Sequence, residues 1–442
     1  MQVSEKSITQ MGYGRQDSRP FLVFIAGCAK NAQDLPGRRP HETGSVMVTP
    51  SSDVPGYVQH AEARATGIGS LDRAHRRSGG SDENKVSPPK HKQTLQPTQN
   101  ALSCQSPRTR RWTPTMLDFD PSYSTPRIEA IGRFIDKHYA LAGPVHCRML
   151  HRGLNDLYLV TNGAGERYVF RLSHHRSRGR ADVNTETAFL THLQRAGVPA
   201  AVPIPTQDGA LFLPGFTPEG TREAVLFREI SGREPSATDA GDARANGKTL
   251  ALLHNAAQTF SSEGAVYRLD LEHLLHRPHA RIRDSGVVED ADVLRDLETI
   301  ATRTAKAIEA FENLTWIYCH GDCHGFNARI DAAGDAVFFD FDDGGPGYLA
   351  YDLSVFLWAK VSFGRTLTPM WTAFIDGYRA IRPITPHDFE AALRFVIVRH
   401  FWLMGEYASR TNEWGSDAVS WIGRQAAFLK TWEADLFVDR LF

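Results

Sequence analysis

The sequence predicts an α+β fold in which strands and helices are segregated rather than interleaved. Three observations carry this. Residues 1–115 show no sustained period of 2 or 3.6, so the folded body begins near Met116. From about 125 to 230, one helical stripe is followed by β-rich runs separated by glycine turns. From 231 to 442, apolar positions recur mostly at helix spacing, and two short strand-like runs there each end in acidic residues.

The leader is rich in Ser, Gly, Pro, Gln and Arg. Segments such as Arg76–Lys85 cannot bury enough apolar surface to offset chain entropy. It holds 16 Lys and Arg against 9 Asp and Glu, which leaves 34 against 42 for the rest of the 442-residue chain. A basic leader can touch nucleic acid or an anionic membrane, but this composition reads as a solvated extension with neither partner. Within it, Ile25-Ala-Gly-Cys28 has the form of a lipoprotein cleavage box. Its apolar run is only about seven residues and follows a long polar stretch, short for an export signal. A start at Met116 would explain the leader and leave 327 residues. No stretch reaches the ~18 apolar residues of a membrane span. Five cysteines form no paired framework, which suits a reducing cytoplasm.

In the body, Thr125 is a candidate cap with Pro126 in the first turn, and Ile128, Ile131, Phe134, Ile135 and Tyr139 form one helical face. Leu150–Thr161 and Arg167–Leu172 flank the turn Asn162-Gly-Ala-Gly165 and read as a hairpin. A helix over Asp182–Gln194 places Glu186 on one face with Phe189, Leu190 and Leu193. A carboxylate on an apolar face requires a cationic partner, because burying it unpaired is costly. Two β-rich runs follow, Ala210–Leu213 and Ala224–Ile230.

Helices are then expected over Lys248–Asn255, with His254 a satisfied core histidine, and over Val293–Glu312. Pro278 breaks the spacing of His273, His276 and His279, which read as solvated or substrate-facing residues rather than a metal set. Near the C-terminus Trp371, Phe374, Trp402, Tyr407, Trp414 and Trp421 read as core rather than as a cage for a quaternary amine. Glu406, Glu413 and Asp417 either meet a cationic amine or form a wet face.

The chemistry concentrates in Trp316–Asp343. A strand over Trp316–Cys319 delivers His320 and Asp322, Asn327 follows five residues later, and a second strand over Val337–Phe339 carries Asp340. Protein kinases space their catalytic-loop Asp and Asn in this way and place a metal-binding Asp after a hydrophobic strand. A hydroxyl nucleophile needs a carboxylate to orient it, and a triphosphate needs metal held by hard oxygens. The competing reading makes Cys319, His320, Cys323 and His324 a zinc knuckle, but no second ligand pair stands out.

His320-Gly-Asp-Cys-His-Gly-Phe-Asn327, with Asp340-Phe-Asp-Asp343 and Tyr351-Asp-Leu353, resembles the aminoglycoside phosphotransferase and choline kinase superfamily. The cysteine-containing loop also resembles a bacterial stress-response Ser/Thr kinase of that superfamily. The resemblance implies a protein-kinase-like fold of two lobes. A small β-rich N-lobe (116–230) would cover ATP, and a helical C-lobe (231–442) would carry the catalytic loop. It implies transfer of the ATP γ-phosphoryl group to a hydroxyl, with Asp322 catalytic and Asn327 and Asp340 holding Mg²⁺. Asp342 is the rival for the metal by alternation along the strand. The turn from Gly153 to Asp156, with Gly153 and Asn155 as its binding residues, would cover the phosphates. Arg171 stands where protein kinases carry Lys, with Glu186 as its partner, and Glu229 and Ile230 fall at the hinge that receives adenine. Asp352 reads as an anchor for the loop. The acceptor stays open between a small hydroxyl compound (amino alcohol, aminoglycoside or sugar) and protein Ser/Thr. A nucleotide-binding module without catalysis is a further alternative.

Overall fold

A computed structural model of the chain describes residues 119, 121–174, 179–261, 268–365 and 367–436. The leader, with its cleavage-box motif and Met116, lies outside them.

The first helix, α1, spans Ile128–His138 and does not begin at Thr125. Ser124 donates through its backbone N–H and its hydroxyl to Glu219 (3.1 and 2.7 Å), which keeps the preceding chain extended until Arg127. Five antiparallel strands follow: β1 (His146–Arg152), β2 (Asn155–Thr161), β3 (Arg167–Ser173), β4 (Leu213–Thr217) and β5 (Gly220–Arg228), in the spatial order β1-β2-β3-β5-β4. The β2–β3 turn is the expected one. Asn162 closes it with its side-chain oxygen, which accepts from the N–H groups of Ala164 and Glu166. Strand alternation on β3 sends Tyr168, Phe170 and Leu172 into the core under α1 and turns Arg171 to the opposite face. β4 begins three residues later than the expected run, overlaps it only at Leu213, and includes Pro214. An edge strand tolerates a residue with no N–H to donate.

Helix α2 (Arg180–Arg195) packs beside this sheet, and the helical lobe follows. α3 (Ala240–Ala257) is capped by Asp239, whose carboxylate accepts from the N–H groups of Gly241 and Asp242. Pro278 does not interrupt the chain as expected. A π-helical turn at Glu272–His276 runs directly into α4 (Arg277–Asp284), and the proline follows that change of register, where the π-turn already interrupts the regular hydrogen-bond ladder. α5 (Ala291–Glu309) starts at the Asp290 cap and stops three residues short of the expected end.

Two short ribbons carry the motif residues: β6 (Trp316–Cys319) pairs with β9 (Gly345–Tyr348), and β7 (Ala328–Ile330) pairs with β8 (Ala336–Phe338). α6 (Leu349–Val361) follows with every residue buried, the mark of a helix through the centre of a lobe. α7 (Thr368–Arg379) crosses α3 so closely that a Cβ at Gly247 would stand 1.9 Å from the Phe374 carbonyl. α8 (Pro386–Ala408), α9 (Thr411–Trp414) and α10 (Ala426–Leu436) complete the lobe. Trp371, Phe374, Trp402 and Trp421 are core residues here, as expected. No described helix is long and apolar enough to cross a membrane.

Candidate active site

The site forms where the β6–β7 and β8–β9 loops meet. Their approach is close enough that a Cβ on Gly321, already at φ +84°, would lie 2.0 Å from the Asp343 carbonyl, so only glycine fits there. Asp352 on α6 holds the first loop from beneath. Its carboxylate accepts from the backbone N–H groups of His320 and Gly321, both at 2.7 Å, and from His254 at 3.0 Å. Burial alone would raise the Asp352 pKa, but His254, His320 and the Gly321 N–H outweigh it and hold the group below its usual value. His254 spends its other ring nitrogen on Tyr378 Oη at 2.7 Å and is the satisfied core histidine expected.

His320 ties the two loops together. Its Nδ1 accepts from the Asp322 N–H at 3.2 Å, and its Nε2 therefore donates to the Phe339 carbonyl at 3.1 Å, next to Asp340. Burial lowers its pKa, so the ring serves as a neutral clip. His324 is likewise pushed down to about 4 by burial, and its Nδ1 accepts from the Phe326 N–H. The zinc knuckle does not form. The His320 nitrogens are both spent within the site, Cys319 and Cys323 are buried with thiol pKa values pushed far up by burial, and Cys323 Sγ donates to the Asp352 carbonyl. Cys319 does approach His254 and Asp352, but both ring nitrogens of His254 are already spent on Tyr378 and Asp352.

Asp322 has both carboxylate oxygens engaged. Asn327 Nδ2 donates to Oδ2 and to the Asp322 backbone carbonyl, each at 2.9 Å. Arg399 on α8 pairs with Oδ1, and its other guanidinium nitrogen reaches Tyr351 Oη at 3.3 Å. The guanidinium also lies over the rings of Trp402 (4.3 Å) and Trp358 (5.1 Å). With the amide nitrogen of Asn327 spent on Asp322, its carbonyl oxygen accepts nothing among the described residues.

Asp340 sits at φ +66°, in the left-handed region that is unfavourable for most residues but that Asp adopts more readily than they do. Enclosure in the cleft, then the neighbouring Asp342 carboxylate, push its pKa well above the usual range, with Asp322 and Asp343 adding to this and Arg171 opposing it. Its side chain nonetheless stays open to solvent, so repulsion among the carboxylates is the firmer cause. Clustered carboxylates beside a free amide oxygen form a hard, anionic donor set, which fits a divalent cation.

The sheet closes over these groups. Asn155 Nδ2 donates to Asp342 Oδ2 at 2.5 Å, across the cleft from the turn that contains Gly153. A side chain on Gly153 would run into the His151 ring. Asp156, grouped with this turn in the sequence reading, points away from it. It forms a fully buried pair with Arg222 at 2.9 Å and accepts from Tyr123 Oη. Arg171 and Glu186 form the expected pair, with both guanidinium nitrogens on both carboxylate oxygens (2.8 and 2.5 Å). Burial works against the arginine charge, yet Glu186, Asp342 and Asp340 hold its pKa above the usual value. Its Nε is buried without a partner, a donor directed at nothing in the protein. At the hinge the Glu229 N–H is already spent on the Arg167 carbonyl at 3.1 Å, and its side chain pairs with Arg167. Of the two hinge candidates, only Ile230 keeps its N–H outside the sheet hydrogen bonds.

Two buried cations beside the catalytic loop escaped the sequence reading: Arg399 and Lys360. Each interrupts an apolar stretch of its helix, Val396–Trp402 and Leu353–Val361. The argument that gave Glu186 a partner would have found them. Conversely, Glu406 and Glu413 are not free to meet an amine: Glu406 pairs with Arg281 and Arg410, and Glu413 with Arg410 and His174.

An orienting carboxylate, an amide and an acidic pair at this spacing, below a sheet with a buried Arg–Glu pair, define the protein-kinase-like class of phosphotransferases. The match to a family model for the phosphotransferase enzyme family, over residues 149–384, places the chain in that family. A Deinococcus radiodurans protein described as uncharacterized is 38% identical over 294 residues, covering 66% of this chain and 84% of its own length. A homoserine kinase from Allorhizobium ampelinum is 28% identical over 232 residues, with 49% of this chain and 68% of its own covered. Among solved structures, a microcompartment-associated aminopropanol kinase superposes with a TM-score of 0.60 at 21% identity, covering 71% of this chain and 99% of its own. The chain is thus a phosphotransferase with a hydroxyl acceptor.

Proposed function

We propose that the chain moves the γ-phosphoryl group of ATP to the hydroxyl of a small amino alcohol or hydroxy amino acid. The observation that carries this is the double tether on Asp322, one carboxylate oxygen on Arg399 and the other on Asn327. A carboxylate fixed in this way can accept a hydrogen bond from an incoming hydroxyl without reorganising. Mg²⁺ held by the free Asn327 oxygen and by Asp340 would neutralise phosphate charge. The unpartnered Arg171 Nε and the Asn155 turn would meet the nucleotide, and Glu186 holds the Arg171 guanidinium in place. Relatives named homoserine kinase and a structural neighbour named aminopropanol kinase support an acceptor that combines hydroxyl and amine. The homoserine kinase relatives favour this over an aminoglycoside, a sugar or a protein serine.

The test separates the acidic residues. Asp322→Asn is expected to lose roughly 10²–10⁴-fold in kcat while ATP affinity stays near normal. Asp340→Asn is expected to lower both turnover and metal-dependent ATP affinity, with partial rescue at high Mg²⁺. If Asp342→Asn alone shows the rescuable defect, the metal assignment moves by two residues. An Asp322→Asn enzyme that works at the normal rate refutes the mechanism.

A further inference from the structure

Lys360 lies near the C-terminal end of α6, 3% exposed, with its ammonium over the rings of Phe326 (5.0 Å) and Phe356 (4.5 Å). Phe326 belongs to the loop between Asp322 and Asn327, and a Cβ on Gly325 of that loop would stand 3.5 Å from Nζ. An ammonium has three N–H donors. Two aromatic faces attract its charge but accept no conventional hydrogen bond, and no described carboxylate, carbonyl or hydroxyl takes one from Nζ. The surrounding charges leave it uncompensated as well. Arg365 adds a further positive charge nearby, Arg399 is matched by Asp322, and His324 in the loop is neutral. Burial brings the Lys360 pKa down to about 8, so the amine remains mostly protonated at neutral pH.

We propose that Lys360 forms an oxyanion subsite beside the Asp322–Asn327 loop, filled during turnover by a carboxylate of the acceptor or by the terminal phosphate of ATP. A buried charge without a partner is unfavourable, and an oxyanion arriving with substrate recovers that cost only in the working complex. This subsite adds to the proposed function an acceptor that carries an acid group or, failing that, a second cation for the phosphate being transferred.

Lys360→Met, which keeps the stem against both rings, decides the matter together with Lys360→Arg, which keeps the charge. Binding is measured by calorimetry, so the answer does not depend on turnover. The matched acceptor probes are homoserine and 3-aminopropan-1-ol, which differ only in the carboxylate, each with a non-hydrolysable ATP analogue bound. The nucleotide probes are that analogue and ADP. A loss of roughly 10–100-fold for homoserine alone in the Met variant, largely restored in the Arg variant, assigns the subsite to the acceptor. The same loss for the ATP analogue but not for ADP assigns it to the terminal phosphate. Equal changes within each pair, or none, overturn the proposal. So does a fall in melting temperature for the Met variant, since a lysine that stabilises the free protein would already have its partner.

Discussion

Replacing Arg399 by methionine tests whether Asp322 works as a fixed group or merely as a nearby one. The Asp322 side chain is 17% exposed and that of Arg399 4%, so solvent screens their pairing only weakly. Losing one charge-assisted bond to a buried partner costs roughly 1.5–3 kcal/mol. The lost contact with the Trp402 and Trp358 rings adds about 0.5–2 kcal/mol. Both appear in a urea melt. The kinetic effect has a different origin. With Oδ1 released, Asn327 alone holds the carboxylate, which can then swing about the remaining bond. A misplacement of about 1 Å costs roughly 10²-fold in rate. Arg399→Met is therefore expected to lose about that much in kcat, and Arg399→Lys about a tenth of it, because a lysine keeps the charge but not the reach to Tyr351. KM for ATP should stay within about twofold in both, since Arg399 touches no group on the nucleotide side. Steady-state kinetics with ATP varied against saturating acceptor separates the two parameters. A folded Arg399→Met enzyme with the wild-type kcat, or one whose ATP affinity falls as far as its kcat, refutes the positioning argument.

Arg171→Ala should leave Glu186 buried and unpaired, lowering stability by roughly 3–5 kcal/mol and weakening ATP binding, whereas Arg171→Lys should keep part of both. If both variants bind ATP like the wild type, β3 does not face the nucleotide. Asp352 supplies a pH signature. Its folded pKa lies below its unfolded value, so its contribution to stability is complete above about pH 4 and is lost as pH falls through the folded pKa. Asp352→Asn should remove that acid-side dependence and, by setting an amide against the His320 and Gly321 N–H donors, lower stability at pH 7 by roughly 3–5 kcal/mol. Urea midpoints for both proteins from pH 3 to 7 check this, and parallel curves would count against Asp352 as the loop's anchor.

The sequence alone determined what local chemistry can determine. Alternation and turn residues set β2, β3 and the hairpin between them, because strand period and Asx-turn chemistry act over a few residues. The loop from His320 to Asn327 and its partner at Asp340 were legible because a kinase motif is a spacing along the chain. Glu186 could be paired with Arg171 because a carboxylate on an apolar face demands a cation. Tertiary structure decided the rest. It placed Arg399 against Asp322 across 77 positions, a pairing that depends on how α8 packs beside α6. It turned Asp156 inward to Arg222, spent the Glu229 N–H on Arg167, and gave Glu406 and Glu413 arginine partners in place of open faces. In the ionic cases the sequence specifies a charge that needs a counter-charge. Which one it receives is fixed only when burial brings distant elements within about 4 Å, where Coulomb energy and desolvation are both large.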